Sequence, residues 1–297
     1  MCGLVVGFIV PPLFIEYGNR GSYIVAAVVI TVFCVVALLA QIHGCRDTPD
    51  MIQAAIKQAE SKTVVPSFST SFKQVFARKN FRTLLIVNMC FQSVQTIVLA
   101  SVAYYVQSVL QLEADFEIAL LGVVIVSIVL SIPVWSYFMR RFGARKTLLV
   151  GAPFSIFGLF LVILPLDLLG TLLAMVFIGF GVGGGLISQD VAYADVIDED
   201  LSIHKTRREG LYYGVNGFMI RLSLLFQVIA FSLIHFLTNY VPGSAVQSAE
   251  AIFGIRLQFG FVPLIFMTIV LFLVWKFYDL GPAKVQQIKA QVAELGL

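Results

Sequence analysis

TLLVGAPFSIFGLFLVILPLDLLGTLLAMVFIGFGVGGGLISQ, residues 147–189, holds a single charged side chain, Asp167. That carboxylate divides the stretch into two apolar runs, 147–166 and 168–189. A bilayer core of roughly 30 Å takes about 20 helical residues, so each run is long enough to cross it. Backbone groups in hydrocarbon have no water to bond, and a segment of this kind satisfies them internally only as a helix. Asp167 then marks the turn between two spans.

The same pattern repeats on either side. Upstream lie the basic turn RRFGARK (140–146), the runs 118–139, 83–112 and 21–45, and a short run over 1–15. Downstream come 211–237, interrupted only by Arg221 and His235, and 257–275. The chain reads as an all-α polytopic membrane protein with eight apolar spans. Composition agrees, with 59% hydrophobic residues, 12% charged residues, 26 Phe and a mean hydropathy of +0.93. A soluble domain carries about twice that charged fraction, because water must solvate its surface.

Several function classes drop out. A net charge of +3, thinly spread, does not suit a nucleic-acid partner. Cys2, Cys34, Cys45 and Cys90 show neither metal spacing nor a disulfide framework, and His43, His204 and His235 lie far apart. No Walker sequence occurs, so ATP is not the expected energy source. Gly179, Gly181 and Gly184 match GxGxxG, yet they lie inside a span with no strand before them, and close helix packing explains them better. No nucleophile–base pairing is apparent, and no enzyme is expected.

Basic residues orient the spans. Counting inward from the first short run, Arg46, Lys57, Lys62, Lys73, Arg78, Lys79 and Arg82 fall in one long polar connection on the cytoplasmic side. Arg140, Arg141, Arg145, Lys146, Lys205, Arg207, Arg208, Lys276, Lys284 and Lys289 fall on the same side. Only Arg20 and Arg256 lie outside, where Glu113, Asp115, Glu117, Asp167 and Glu250 gather. This obeys the positive-inside rule and places both ends of the chain in the cytoplasm of a cell membrane.

Loop lengths divide the chain into 1–43 (two helices), 44–82 (a polar linker), 83–280 (six helices joined by short turns) and a tail over 281–297. Within the linker, 51–62 fits an amphipathic surface helix, and a solvated strand of chain fits it equally. A long cytoplasmic connection before a six-helix bundle is how major facilitator transporters join their halves. On that reading the chain holds the last two helices of the N-terminal bundle and the whole C-terminal bundle, with four earlier helices missing.

AYADVIDEDLSIHKTRREGLYYGVNGF, residues 192–218, resembles the connection between the tenth and eleventh helices of the glycoside–pentoside–hexuronide:cation symporters, the melibiose permease family. Asp195, Asp198, Arg207, Arg208, Glu209 and Gly210 stand at the matching places. NYVPGSAVQSAEAIFGI (239–255) is similar to the family's outer loop before the last helix, and PVWSYFMRRFGARKTLLVG (133–151) to its basic turn between the eighth and ninth. The resemblance implies cation-coupled symport of a carbohydrate solute (a sugar, glycoside or uronide) by alternating access. No cofactor is implied beyond a coupling cation, sodium or a proton. The family's cation-holding carboxylates lie mainly on early helices. A non-transporting membrane sensor that keeps the C-terminal bundle is the alternative.

Arg221 is the most informative side chain. It sits about ten positions into its span, where an unpaired cation costs about 3 kcal/mol on insertion scales. Gly210, Gly214, Gly217 and Arg221 share one helix face by spacing. The family resemblance implies a lysine at the aligned position, near the cation and sugar site; arginine keeps the charge and adds a planar fork of donors. Asp190 is either its counter-ion or a residue meeting water. Gln189 and Asn216 match polar family positions, so the expected substrate-binding set is Gln189, Asn216 and Arg221. The expected gating set is Arg140, Arg141, Lys146, Asp195, Asp198, Arg207 and Arg208, with topology alone as the plainer role for the basic turn and a solvated face for the acidic run.

Overall fold

The computed structural model of the chain describes residues 20–44, 73, 76–113, 115–205, 209–242, 244 and 246–294. The chain divides into two compact units, Met1–Ser67 and Phe68–Leu297. In the first, the described part is one helix, α1 (Arg20–Gly44), apolar on all sides and exposed along nearly its whole length. The short run over 1–15 and the amphipathic candidate over 51–62 lie outside the described residues, as do Arg207 and Arg208.

The second unit is a bundle of six membrane-length helices. They are α2 (Lys79–Leu110), α3 (115–142), α4 (144–163), α5 (Leu168–His204), α6 (Glu209–Leu237) and α7 (Ala249–Lys276), followed by a tail helix, α8 (Pro282–Glu294). With α1 these are the seven helices long and apolar enough to span among the described residues. No strand occurs among them. Each hairpin lies where the charged residues of the sequence break the apolar runs.

Local signals explain the breaks. Gly143 takes φ 79° and ψ 167°, so the basic turn is a sharp corner between α3 and α4. That φ is one that L side chains adopt rarely, and a Cβ there would also meet Pro282 Cγ at 3.1 Å. Asp167 caps α5 by accepting a hydrogen bond from Gly170 N at 2.8 Å. Ser248 caps α7 in the same way through Ala251 N, at 3.1 Å. Two π-turns widen the helices, Tyr105–Leu110 in α2 and Leu257–Phe261 in α7. The second precedes Pro263, whose ring would otherwise clash with the Phe259 carbonyl four residues back.

One expectation is corrected. The acidic run from Asp195 is not a loop: α5 continues unbroken to His204 and ends only where Lys205 turns left-handed at φ 55°. The segment holds no Pro or Gly, and several of its carboxylates find partners on other elements.

The core is dense where α3, α4 and α5 meet. A Cβ on Gly179 would lie 2.6 Å from Val124 O, and one on Gly181 would lie 2.7 Å from Gly151 O. One on Gly184 would lie 2.9 Å from the Trp135 ring, which donates its indole N–H to Phe180 O at 2.8 Å. The glycine pattern therefore lets helix backbones approach closely. By contrast, α6 is covered sparsely, with Tyr212, Val215 and Ser223 its buried residues.

Candidate functional site

Three layers of side chains follow the facing sides of α2, α5 and α6 toward the end where the basic residues gather, and Arg221 stands farther along α6 on its open face. Ring and hydrogen-bond contacts give the helix directions. Phe81 meets both Tyr193 and Tyr212, while the Phe91 ring fills the space of a Cβ on Gly185. Thus α2 runs antiparallel to α5 and parallel to α6.

Arg221 lies outside these layers, on the open side of α6. It is exposed, and among the described residues no ion pair or hydrogen bond engages it. A Cβ built on Gly210, Gly214 or Gly217 meets nothing within 4 Å, so its whole helix face looks into open space. Asp190 is also exposed and forms no ion pair with Arg221.

An amide layer lies five residues back along α6, about 7.5 Å nearer the basic end and about 140° around the helix from Arg221. Asn88 Nδ2 of α2 donates to Asn216 Oδ1 of α6 at 3.1 Å. Asn88 is only 5% exposed, and its own carbonyl oxygen is buried without a partner. Gln189 Nε2 on α5 is likewise buried without one. Orphaned buried amide atoms are costly, so each calls for a partner, an ordered water or a ligand group.

Beneath the amides lies an aromatic floor. Phe81 packs edge-on to Tyr212 at 4.5 Å and to Tyr193 at 6.2 Å, and Tyr193 Oη donates to Tyr212 O at 3.3 Å. These rings seal the helix junction with little polar surface.

The last layer is ionic. Asp195 Oδ1 stands 3.4 Å from Lys289 Nζ, and Glu199 Oε1 stands 3.4 Å from Lys284 Nζ, so α8 is clasped to α5. Asp200 lies 2.7 Å from His204 Nδ1 and 3.7 Å from Arg78 Nε. Asn80 Nδ2 donates to Glu199, and Arg145 Nη2 donates to Trp275 O at 2.8 Å, tying α4 to the end of α7. Tyr278, which donates to Ala192 O at 3.4 Å, is held well above its usual pKa by burial and by the charges of Asp195 and Glu199. Burial alone would lower the pKa of Lys284, yet its hydrogen bond to Asp279 and the charge of Glu199 outweigh that and raise it.

The expected gating residues are distributed differently across this surface. Asp195 joins the clasp; Asp198 is half-buried and has no ion pair among the described residues. Arg140, Arg141 and Lys146 are exposed. Arg141 reaches Tyr137 Oη at 3.3 Å, and both Arg141 and Lys146 sit over the Phe142 ring. In this conformation the acidic run is paired with Arg78, Lys284 and Lys289 instead.

Sequence reasoning passed over Asn80, Asn88 and the two tail lysines. The available signals were a lone amide inside an apolar run and a five-residue lysine spacing that reaches Asp195 and Glu199, four apart on one helix face. Among the described residues no His, Cys, Asp and Glu cluster could hold a metal ion. Chemically, the amide layer offers unpaired donors and acceptors suited to a polar solute, and Arg221 adds a cation on the open face of α6.

Comparison with known proteins bears on this arrangement. Residues 1–281 match the family described as MFS/sugar transport protein. The chain is 28% identical over 232 residues to a glucuronide carrier protein homolog of Escherichia coli (strain K12), covering 76% of this chain and 50% of that protein. It is 24% identical over 264 residues to the sodium-dependent lysophosphatidylcholine symporter 1-A of Danio rerio, covering 85% and 48%. The chain thus spans about half the length of the curated relatives it matches. The family match, the carrier relative and the multi-pass helical bundle together place the chain: it belongs to the MFS/sugar transport protein family, in the glycoside–pentoside–hexuronide group of the major facilitator superfamily.

Proposed function

We propose that this chain supplies the C-terminal bundle of a cation-coupled symporter for a glycoside bearing a carboxylate, a hexuronide, in the cell membrane with both chain ends in the cytoplasm. One observation carries the reading: Arg221 is a cation at mid-span with no protein counter-charge among the described residues, on a glycine face left open. Such a cation is stable in a membrane beside water or an anionic ligand, and a solute carboxylate supplies the missing charge. The relative named as a glucuronide carrier supports the same solute class.

In alternating access, two bundles rock about the midplane site while each face closes in turn. The ionic layer is suited to the inner closure, with Asp195, Asp198, Arg140, Arg141, Lys146, Arg207 and Arg208 meeting partners on the other bundle when that face shuts. The coupling cation, sodium or a proton, is assigned to residues outside the described bundle. Neutralising Arg221 as Arg221→Gln abolishes uronide uptake while membrane insertion stays intact; unchanged uptake removes Arg221 from the mechanism.

A second reading has its own observation. Ala119, Gly122, Val123, Val126, Leu130, Val176 and Phe180, with Ser127 and Ser131, line a mainly apolar, open pocket of about 590 Å³ between α3 and α5. The relative named as a lysophosphatidylcholine symporter makes an amphiphilic solute the competing class. Competition between p-nitrophenyl β-D-glucuronide and lysophosphatidylcholine for the reconstituted chain separates the two.

A further inference from the structure

We infer that Asn88 is a specificity-determining residue, and that Asn88 Oδ1 and Gln189 Nε2 together read one hydroxyl group of the solute. The inference rests on the glycoside reading above and extends it to a residue and a hydrogen-bond pattern.

The placement follows from helix geometry. On α5, Gly185, Gln189 and Tyr193 are spaced by four and share a face, and both Gly185 and Tyr193 touch α2. On α2, Phe81 and Phe91 make those contacts, and Asn88 lies seven residues after one and three before the other, on the same face. Asn88 and Gln189 therefore project toward each other between the same two contacts, at one depth in the bundle.

Their chemistry is complementary and incomplete. Asn88 spends its amide hydrogens on Asn216, which fixes the side chain with its carbonyl oxygen free to accept. Gln189 has a free donor. No hydrogen bond joins them, although both atoms are buried. One free acceptor and one free donor on facing helices match a hydroxyl, which donates once and accepts once. A carboxylate only accepts and an ammonium only donates, so neither satisfies both atoms. A site built to bond a hydroxyl rejects the analogue that lacks it, because its own groups are then left unpaired.

The test uses the purified full chain in liposomes, with p-nitrophenyl β-D-glucuronide and its monodeoxy analogues as probes. Asn88→Leu and Gln189→Leu each weaken binding of the parent about tenfold. One deoxy analogue, the same for both variants, binds wild type and variants alike. Where Asn88→Leu fails to fold, Gln189→Leu, whose side-chain amide nitrogen holds no bond among the described residues, carries the comparison. Equal loss across parent and all analogues, no loss in either variant, or a different hydroxyl for each variant overturns the inference and leaves the glycoside reading standing. A wild-type chain that binds no glucuronide overturns both.

Discussion

Asn80 Nδ2 lies 3.0 and 2.9 Å from the two carboxylate oxygens of Glu199, and Asn80 Oδ1 accepts from Asp279 N at 3.1 Å. One buried amide therefore joins the start of α2, the basic end of α5 and the segment between α7 and α8. Glu199 in turn meets Lys284, so the tail helix is linked through the same carboxylate. Hydrogen bonds to a charged group contribute more than neutral ones, and removing this donor leaves Glu199 partly unsatisfied.

Replacing Asn80 by Leu should therefore destabilise the bundle by about 1–3 kcal/mol. Asn80→Asp should be worse, because it sets a second carboxylate against Glu199. Thermal unfolding of the purified protein in detergent checks the order; a variant as stable as wild type would show that this junction holds nothing together.

The glycines separate into two kinds with opposite outcomes. Gly181→Ala drives a methyl into the Gly151 carbonyl at 2.7 Å, a backbone atom that cannot step aside, and folded yield should fall sharply. Gly214→Ala meets nothing within 4 Å and gains helix propensity of up to about 1 kcal/mol. Comparing the two by fluorescence size-exclusion thermal stability gives the answer, and similar losses in both would contradict the open face on α6.

The tail clasp has a defined pH window. The folded pKa of Lys284 is raised, so its contribution is fully present below the unfolded value of about 10.4 and is lost as pH rises through the folded one. Because the ammonium is partly exposed, the effect is small at each residue. Hydrogen-exchange protection of α8 should be constant from neutral to mildly alkaline pH and decline only beyond it. Lys284→Met should lower protection at every pH and remove the alkaline step.

Much of the architecture was readable from residues 147–189 outward, because charge-free runs of membrane length leave a helix little alternative. Gly143 and Asp167 were legible as corners for the same reason: each breaks an apolar pattern with a residue suited to a turn. The continuation of α5 through Asp195, Glu199 and Asp200 was not. Their partners, Asn80, Lys284 and Lys289, lie on other elements far along the chain, and local charge density reads as a loop until those elements pack. Asn88 was hidden differently. A single amide in an apolar run gives no sign of which atom will be left over, and only the bond to Asn216 reveals that its carbonyl is free.

Arg221 bears most directly on how the bundle handles a solute. In a background freed of its native cysteines, Arg221→Cys should react quickly with a membrane-impermeant methanethiosulfonate, and p-nitrophenyl β-D-glucuronide should slow that reaction. A cysteine there that reacts only with lipid-soluble maleimides, indifferent to the glucuronide, would contradict a water-filled solute path along α6.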